Sequence, residues 1–504
     1  MKKCSKKPKL RYTTQMYSMT LPPSHAMSTG SAANVPKHLH IIGICGVGTG
    51  ALAVAFKRAG WKVTGSDKGF YPPVSTTLTE AGISYHAGWH PEKVGMPDIV
   101  VAGGAGTSLQ NPEVMYVKEK GIPLLSFAEA IGQFLVKKNS IVCVGTWGKT
   151  TSSALLAFIM ERAGMAPSFF SGGVAVGRDA GQITESDWSV VEGDEYQAAI
   201  WDKKAKFFYY KPTHLLLTAI SWDHADLYPT EADYLKAFEK LLDQVPSSLR
   251  EKRVVACADS PFVKILLANK HVQHVSYGKD SSTDYRYENV SHTKAGLSFD
   301  IIHAPDAKKY AIVSPMLGAY NAENITGCFA MAREIGIAPE VAISAIKEFA
   351  GLKRRLEKRG ESARGTAIDT HAPTADKAKA GLESVREVYK GKIVAIFEPN
   401  IGGRQRASQA MYAGAFAAAD LVLIPRLTKL KIDATLTAET QPLEGDELAK
   451  ILGKDTQVRY IEDDEKLVNE AVQEMTSKED VVIFLGSHGF RGMIEAVVEK
   501  LKTN

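Results

Sequence analysis

Cysteine is scarce in this chain of 504 residues: Cys4, Cys45, Cys143, Cys257 and Cys328 stand far apart, and no CxxC pair occurs. An odd, scattered set excludes a disulfide framework and a cysteine-built zinc site. A reducing cytoplasm is therefore the expected setting. Long apolar runs are missing too. Nothing approaches the roughly 18 consecutive apolar residues of a membrane span, so no membrane partner is expected. Net charge is small, +5 from 61 Lys and Arg against 56 Asp and Glu. The one dense basic run is Lys2 to Arg11, which is not the basic stripe of a nucleic-acid binder. A mild basic excess suits small anionic substrates. Residues 1–36 turn from basic to rich in Ser, Thr, Pro and Met without a continuous apolar stretch. They are expected to form a disordered extension, not a signal peptide, with Met19 or Met27 as alternative starts.

Internal repeats and low-complexity linkers are also absent, and the length suits about three domains. Short apolar strands alternate with helical stretches from His38 onward, the pattern of parallel sheets covered by helices. The fold class is α/β: a Rossmann-like unit at 37–138, a phosphate-loop unit at 139–350 and a second Rossmann-like unit at 351–504. Strands are expected at 38–42, 62–64, 98–102, 140–144, 188–191, 214–218 and 254–257. Helices are expected at 51–59, 111–120, 150–163 and 321–334. Residues 284–312 alternate apolar and polar over short runs, which predicts a small antiparallel excursion. The last unit should carry strands at 365–368, 392–397, 420–424 and 481–485.

The densest chemistry lies in Gly145-Thr146-Trp147-Gly148-Lys149-Thr150-Thr151. A strand feeds this turn and a helix leaves it, so backbone N–H groups and the positive helix end converge on one point. Lys149 supplies a mobile cation for the phosphates of ATP, and Thr150 offers a hydroxyl to Mg²⁺. The loop is a shortened phosphate-binding pattern, because two residues separate its glycines where the usual form has four. The alternative is a tight turn that merely tolerates these residues. Two polar clusters follow other strands, Glu192-Gly193-Asp194-Glu195 and Asp223-His224-Ala225-Asp226. In a parallel sheet the C-terminal strand ends share one edge, so both should face the loop and could hold a metal. Solvated loop charge is the competing reading.

The glycine turn Gly43 to Gly50 has GxxGxG spacing, with Asp67 about 20 residues on, as a ribose-binding acid would be. A nicotinamide-dependent dehydrogenase would fit residues 37–138 alone, but it leaves the phosphate loop unexplained. His86 and His90 either approach a nucleotide or sit on a surface loop. Cys143, Cys257 and the run Phe207 to Tyr210 read as packing residues.

These residues, in this order, resemble the Mur ligase family, which builds the peptide stem of peptidoglycan. Gly145 to Thr151 is similar to the family's GT-x-GKTT loop. Asn321 and Asn324 match its G-x-HN-x-x-N motif, and Phe349 to Glu357 its F-x-G-x-x-RR-x-E segment. Within the family, the branch that handles UDP-N-acetylmuramate fits best. Tyr71 to Thr76, Asp194-Glu195-Tyr196, Asp202 to Phe207, Asp223 to Asp226 and Ser487 to Gly492 resemble its tripeptide-adding member. The resemblance implies a cytoplasmic ATP- and Mg²⁺-dependent ligase joining UDP-N-acetylmuramate to L-alanyl-γ-D-glutamyl-meso-diaminopimelate through an acyl phosphate. L-Alanine is the alternative amine, and a catalytically weak nucleotide-binding sensor or assembly partner is the alternative class.

Carried over by position, Lys149, Glu192 and His224 are the catalytic residues, with Thr150, Glu192 and His224 as metal ligands. Gly145, Thr146, Gly148, Lys149, Thr150, Thr151, Asn321, Arg355 and Asp369 bind ATP. Gly46, Gly48, Ser66 and Asp67 bind the UDP-sugar, and His371 the amine substrate. By their donor geometry Arg404 and Arg406 are candidate carboxylate clamps for that substrate, with an exposed basic loop as the alternative. Trp147, Ala219 and Tyr320 depart from the family pattern. Residues 368–374 are a shortened form of its DD-aromatic-x-HHPT segment. Phe238 takes the place where many relatives carry a carbamylated lysine.

Overall fold

The computed structural model describes residues 37–503, apart from 72, 104–106, 225, 247–252, 401–402, 429–441, 455 and 488. The expected N-terminal extension and His488 of the late glycine-rich segment lie outside the described residues.

Among the described residues three large sheets follow one another along the chain, with a two-stranded sheet, Gln197–Ala199 with Asp202–Ala205, beside them in sequence. The first has spatial order Ser84–Ala87, Lys62–Asp67, His38–Ile42, Ile99–Ala102, Leu124–Ser126. Every neighbouring pair in it is parallel. The second has ten strands. Its middle strands pair in parallel around Asn139–Val144, with Trp188–Gly193 on one side and His214–Leu217 on the other. One end turns antiparallel through Tyr285–Thr293, Gly296–His303 and Lys308–Ser314, the excursion predicted from alternation. The third sheet has six strands, parallel except for the edge strand Glu357–Ser362, which runs antiparallel to Gly365–His371.

Strands buried on both faces explain the uninterrupted apolar runs that mark them in the sequence. Val481–Gly486 and Ile393–Glu398 are buried along their whole length. The helix Lys149–Arg162 is buried from Ser152 to Met160 without a break. It is enclosed because helix Asn321–Glu334 packs on it, with the Cys328 thiol 3.4 Å from the Ser152 carbonyl. That enclosure fixes the start of the helix beneath the end of strand Asn139–Val144.

Candidate functional site

Register places the chemistry. Val144 pairs with Gly193 and with Leu217, so the loops beginning at Gly145, Asp194 and Thr218 leave one edge together. Gly145 and Gly148 have φ of +141° and +87°, values that a residue with a Cβ rarely adopts. The second positive φ aims the following N–H groups along the axis of helix Lys149–Arg162, toward the point where phosphate would sit.

Thr146 is held by four contacts: its hydroxyl lies 2.6 Å from the Ser221 carbonyl and 2.9 Å from the Tyr234 hydroxyl and accepts from the Ser221 N–H at 3.0 Å, and its N–H donates to Ala219 at 2.9 Å. Trp147 is exposed, with its indole N–H on the Ser221 hydroxyl at 2.8 Å. Thr151 lies half-buried in the first turn of the helix.

Lys149 and Glu195 form a bidentate pair, with Nζ 3.0 and 2.9 Å from the two carboxylate oxygens. Glu195 is fully buried. Burial works against the Lys149 charge, but Glu195, Glu192 and Asp194 outweigh it and raise its pKa. Thr150 donates to Glu192 at 3.0 Å, and the Gly172 N–H meets the other Glu192 oxygen. Burial, aided by Asp194, pushes the Glu192 carboxyl above the usual range against the pull of Lys149. His224 joins a different set, because its ligand atom and those of Asp194 and Glu195 lie within 4.8 Å of one another.

The sequence expectation of one ligand set, Thr150 with Glu192 and His224, is thus resolved into two neighbouring groups. Glu192 is the last residue but one of its strand, whereas His224 lies beyond Ile220 on a loop, with φ of +56°. Hydroxyl and carboxylate oxygens around Thr150 and Glu192 are hard donors of the kind Mg²⁺ takes. Asp194 and Lys206 pair at 2.5 Å. Burial opposes the Asp194 charge, and Lys206 and Lys149 lower its pKa nonetheless.

Asn321 and Asn324 close the loop from the opposite helix. The Asn321 amide donates to the Leu317 carbonyl at 2.8 Å and accepts from Asn324 at 3.1 Å. A Cβ on Gly148 would stand 2.2 Å from the Asn324 Oδ1, so Asn324 sits directly over the loop. Phe238, fully buried, packs against Phe207 and Tyr234 as core.

Farther along, Arg355 is exposed, while Asp369 is buried to 1% exposure. Asp369 Oδ2 lies 3.4 Å from Arg354 and 3.5 Å from Arg359, and its Oδ1 has no hydrogen-bond partner among the described residues. Burial raises its pKa to about 6, with Glu357 adding to the rise and the two arginines opposing it. His371 is half-buried at the end of its strand, with its N–H on the Arg354 carbonyl at 2.8 Å. Arg404, expected to face a substrate carboxylate, is 4% exposed, and its guanidinium donates to the carbonyls of Leu443 and Thr428 at 3.2 and 2.6 Å. Loop carbonyls without a ladder partner take up its donors. Arg406 pairs instead with Glu447 at 2.7 Å.

A hollow of about 390 Å³ opens beside the first sheet. Gly46, Gly48 and Asp67 line it, along with Lys68, Trp89 and Lys206. Asp67 accepts from the Cys45 N–H at 2.8 Å, tying the glycine turn to the next strand. Ser66 points away, with its hydroxyl on the buried Glu113. Glu113 also accepts from His86 at 3.0 Å and from the His90 N–H at 2.7 Å. The two histidines therefore belong to a buried carboxylate network.

Sequence reasoning left Glu195 as one member of a cluster that could hold a metal, and assigned no role to Lys206 or Glu113. The first two were visible only as members of charged runs. Glu113 follows Asn111-Pro112 at a helix start, where an acidic residue reads as ordinary capping.

Sequence models of the Mur ligase family match three successive parts of the chain. They are its catalytic domain at residues 38–139, its middle domain at 144–332 and its glutamate ligase domain at 354–488. UDP-N-acetylmuramate–L-alanyl-γ-D-glutamyl-meso-2,6-diaminoheptandioate ligase of Haemophilus influenzae is 30% identical over 92% of this chain and 99% of that protein. UDP-N-acetylmuramate–L-alanine ligase of Chlorobium phaeobacteroides is 29% identical over 90% of this chain and 94% of that protein. Among solved structures, UDP-N-acetylmuramate-alanine ligase of Thermotoga maritima superposes with a TM-score of 0.74 at 22% identity. It covers 92% of this chain and 99% of that one. A murein peptide ligase of Psychrobacter arcticus gives 0.66 at 24% identity, over 93% and 99% of the two chains. These two likenesses show a shared three-domain fold. With phosphate loop, carboxylate cluster and all three domains in place, the chain belongs to the Mur ligase family of ATP-dependent, amide-forming ligases.

Proposed function

We propose that this ligase couples the carboxyl group of UDP-N-acetylmuramate to the amine of L-alanyl-γ-D-glutamyl-meso-diaminopimelate. The observation that carries this reading is the adjacency of Asp194 and Glu195. One tethers Lys206 at the hollow beside the glycine turn, and the other tethers Lys149 at the phosphate loop. A nucleotide-sugar in the hollow would thereby have its acid end directed toward the γ-phosphate of ATP.

The sugar's carboxylate oxygen attacks the γ-phosphorus, and ADP leaves. The incoming amine then attacks the resulting acyl phosphate carbonyl, and the tetrahedral intermediate expels inorganic phosphate to leave an amide. Lys149 transfers its hydrogen bonds from Glu195 to the phosphate oxygens, and the N–H groups of the helix start share the charge. Bound Mg²⁺, with Thr150 and Glu192 as oxygen ligands and His224 in the neighbouring group, would neutralise charge on the phosphates. Asn321 would meet the adenine nucleotide, and Arg355 and Asp369 would close over it from the third domain. Such positioning is worth about 7–11 kcal/mol of barrier when the reactants are fully aligned.

The amine is the finer part of the proposal. Relatives carrying either the tripeptide or the L-alanine name match this chain equally well, at 30% and 29% identity. One assay decides: supply ATP, Mg²⁺ and UDP-N-acetylmuramate with either the tripeptide or L-alanine, and measure phosphate release and product mass. The expected result is phosphate release and a tripeptide conjugate. Release with L-alanine alone would move the chain to the other branch, and no release with either would leave a nucleotide-binding protein without turnover.

A further inference from the structure

Lys206 is the cation of the glycine-turn hollow that the first sheet does not supply. It follows strand Asp202–Ala205, which pairs with Gln197–Ala199 in a two-stranded hairpin of the central region. Its backbone is fixed: the Lys206 N–H donates to the Tyr196 carbonyl at 3.0 Å and the Phe207 N–H to the Asp194 carbonyl at 3.2 Å. Phe207 itself is completely buried. The side chain is 17% exposed, with Nζ 2.5 Å from Asp194 Oδ2 and 5.8 Å from the centre of the Tyr196 ring. An ammonium has three donors, and among the described residues Asp194 is its hydrogen-bonding partner. The rest of its donor capacity faces a hollow also lined by Gly46, Gly48, Asp67 and Trp89.

Burying most of a lysine merely to pair one carboxylate contributes little, because lost solvation offsets the attraction. A lysine held at the inner wall of a substrate cavity, by the residue next to the one that holds Lys149, has a more economical use. We propose that Lys206 binds an oxyanion of the nucleotide-sugar substrate, its diphosphate or its carboxylate, with Asp194 positioning the ammonium. This rests on the nucleotide-sugar reading given above. It makes Lys206 the counterpart of Lys149: each lysine is parked on its own carboxylate, one for the sugar substrate and one for ATP.

The test uses the full-length protein and titration calorimetry. Wild type, Lys206→Met and Lys206→Arg are each titrated with UDP-N-acetylmuramate, with UDP-N-acetylglucosamine, which lacks the carboxylate, and with a non-hydrolysable ATP analogue. Loss of one charge-assisted hydrogen bond should weaken UDP-N-acetylmuramate binding by Lys206→Met roughly 10- to 100-fold. Lys206→Arg should recover most of it, and the affinity for the ATP analogue should not move. A loss shared by UDP-N-acetylglucosamine identifies the diphosphate as the partner, and one confined to UDP-N-acetylmuramate identifies the carboxylate. Wild-type affinity in Lys206→Met overturns the proposal. So does an equal loss toward the ATP analogue, which marks a structural strut. Failure of the wild type to bind either sugar nucleotide removes the substrate reading, and the role of Lys206 with it.

Discussion

Glu113 shows how much one carboxylate can organise. It is fully buried, yet its pKa is lowered to about 2. Burial alone would raise it. His40, 4.0 Å away, and the hydrogen bonds of Ser66, the His90 N–H and His86 reverse that effect. Through Ser66 and His90 it pins two segments that line the glycine-turn hollow, those carrying Asp67 and Trp89. A depressed carboxyl pKa stabilises the fold above the unfolded value near 4.5, and the contribution is lost as pH falls toward 2. Glu113→Gln keeps the shape and removes the charge. It should cost about 1–3 kcal/mol at pH 7, with a narrower gap between variant and wild type at pH 3.5, both read from urea melts. Equal stability at pH 7 would remove Glu113 from this anchoring role.

At the scale of elements, the start of helix Lys149–Arg162 is the most demanding piece of backbone in the site. Gly148 has φ of +87°, and a Cβ there would come within 2.2 Å of Asn324 Oδ1, itself only 5% exposed. Gly164, two residues past the end of the same helix, has φ of +77° but open space around its Cβ position. Gly164→Ala should therefore cost only the left-handed penalty of about 1–2 kcal/mol and leave nucleotide binding intact. Gly148→Ala adds the collision with Asn324. It should lower thermal stability further and weaken ATP-analogue binding at least about tenfold; unchanged binding would remove Asn324 and the loop from the nucleotide site. The same comparison shows what the sequence makes legible. Glycines, a lysine and an apolar strand leading into a helix announce the loop, and continuous apolar runs announce the buried strands around it. The edge strand Glu357–Ser362 escaped notice because its half-exposed residues, Glu-Lys-Arg-Gly-Glu-Ser, read as a charged loop. The Lys149–Glu195 pair escaped because partners 46 residues apart are joined only by strand register. Which arginine of Arg354-Arg355 turns inward depends on the left-handed backbone at Arg354, φ +58°, and nothing in the residue types declares it.

For the whole molecule, the crossing from the central sheet to the third is a tightly bonded joint. Its backbone is bonded on both sides: the Lys353 N–H donates to Val174 at 2.8 Å, and the Arg354 carbonyl accepts from His371 at 2.8 Å. The Arg354 guanidinium donates to the carbonyls of Gly486 and Ser487, both at 2.9 Å. Asp369 lies against this joint with Arg354, Arg359 and Glu357 around it, and burial holds its pKa at about 6. A raised carboxyl pKa has the opposite sign from that of Glu113. The folded state binds the proton more tightly than the unfolded chain, so this group costs stability as pH rises from about 4 to 6, and the cost persists above. A protein retains such a penalty where function requires the charge, and the Oδ1 of Asp369, which has no hydrogen-bond partner among the described residues, is the kind of acceptor that a nucleotide hydroxyl would satisfy. Asp369→Asn should raise stability at pH 8 by about 1–2 kcal/mol while leaving it nearly unchanged at pH 4. Turnover should fall at the same time through a higher KM for ATP. A variant that is less stable than wild type at pH 8 would mean that the pairs with Arg354 and Arg359 outweigh the burial of the charge. One that is more stable and fully active would separate Asp369 from the reaction altogether.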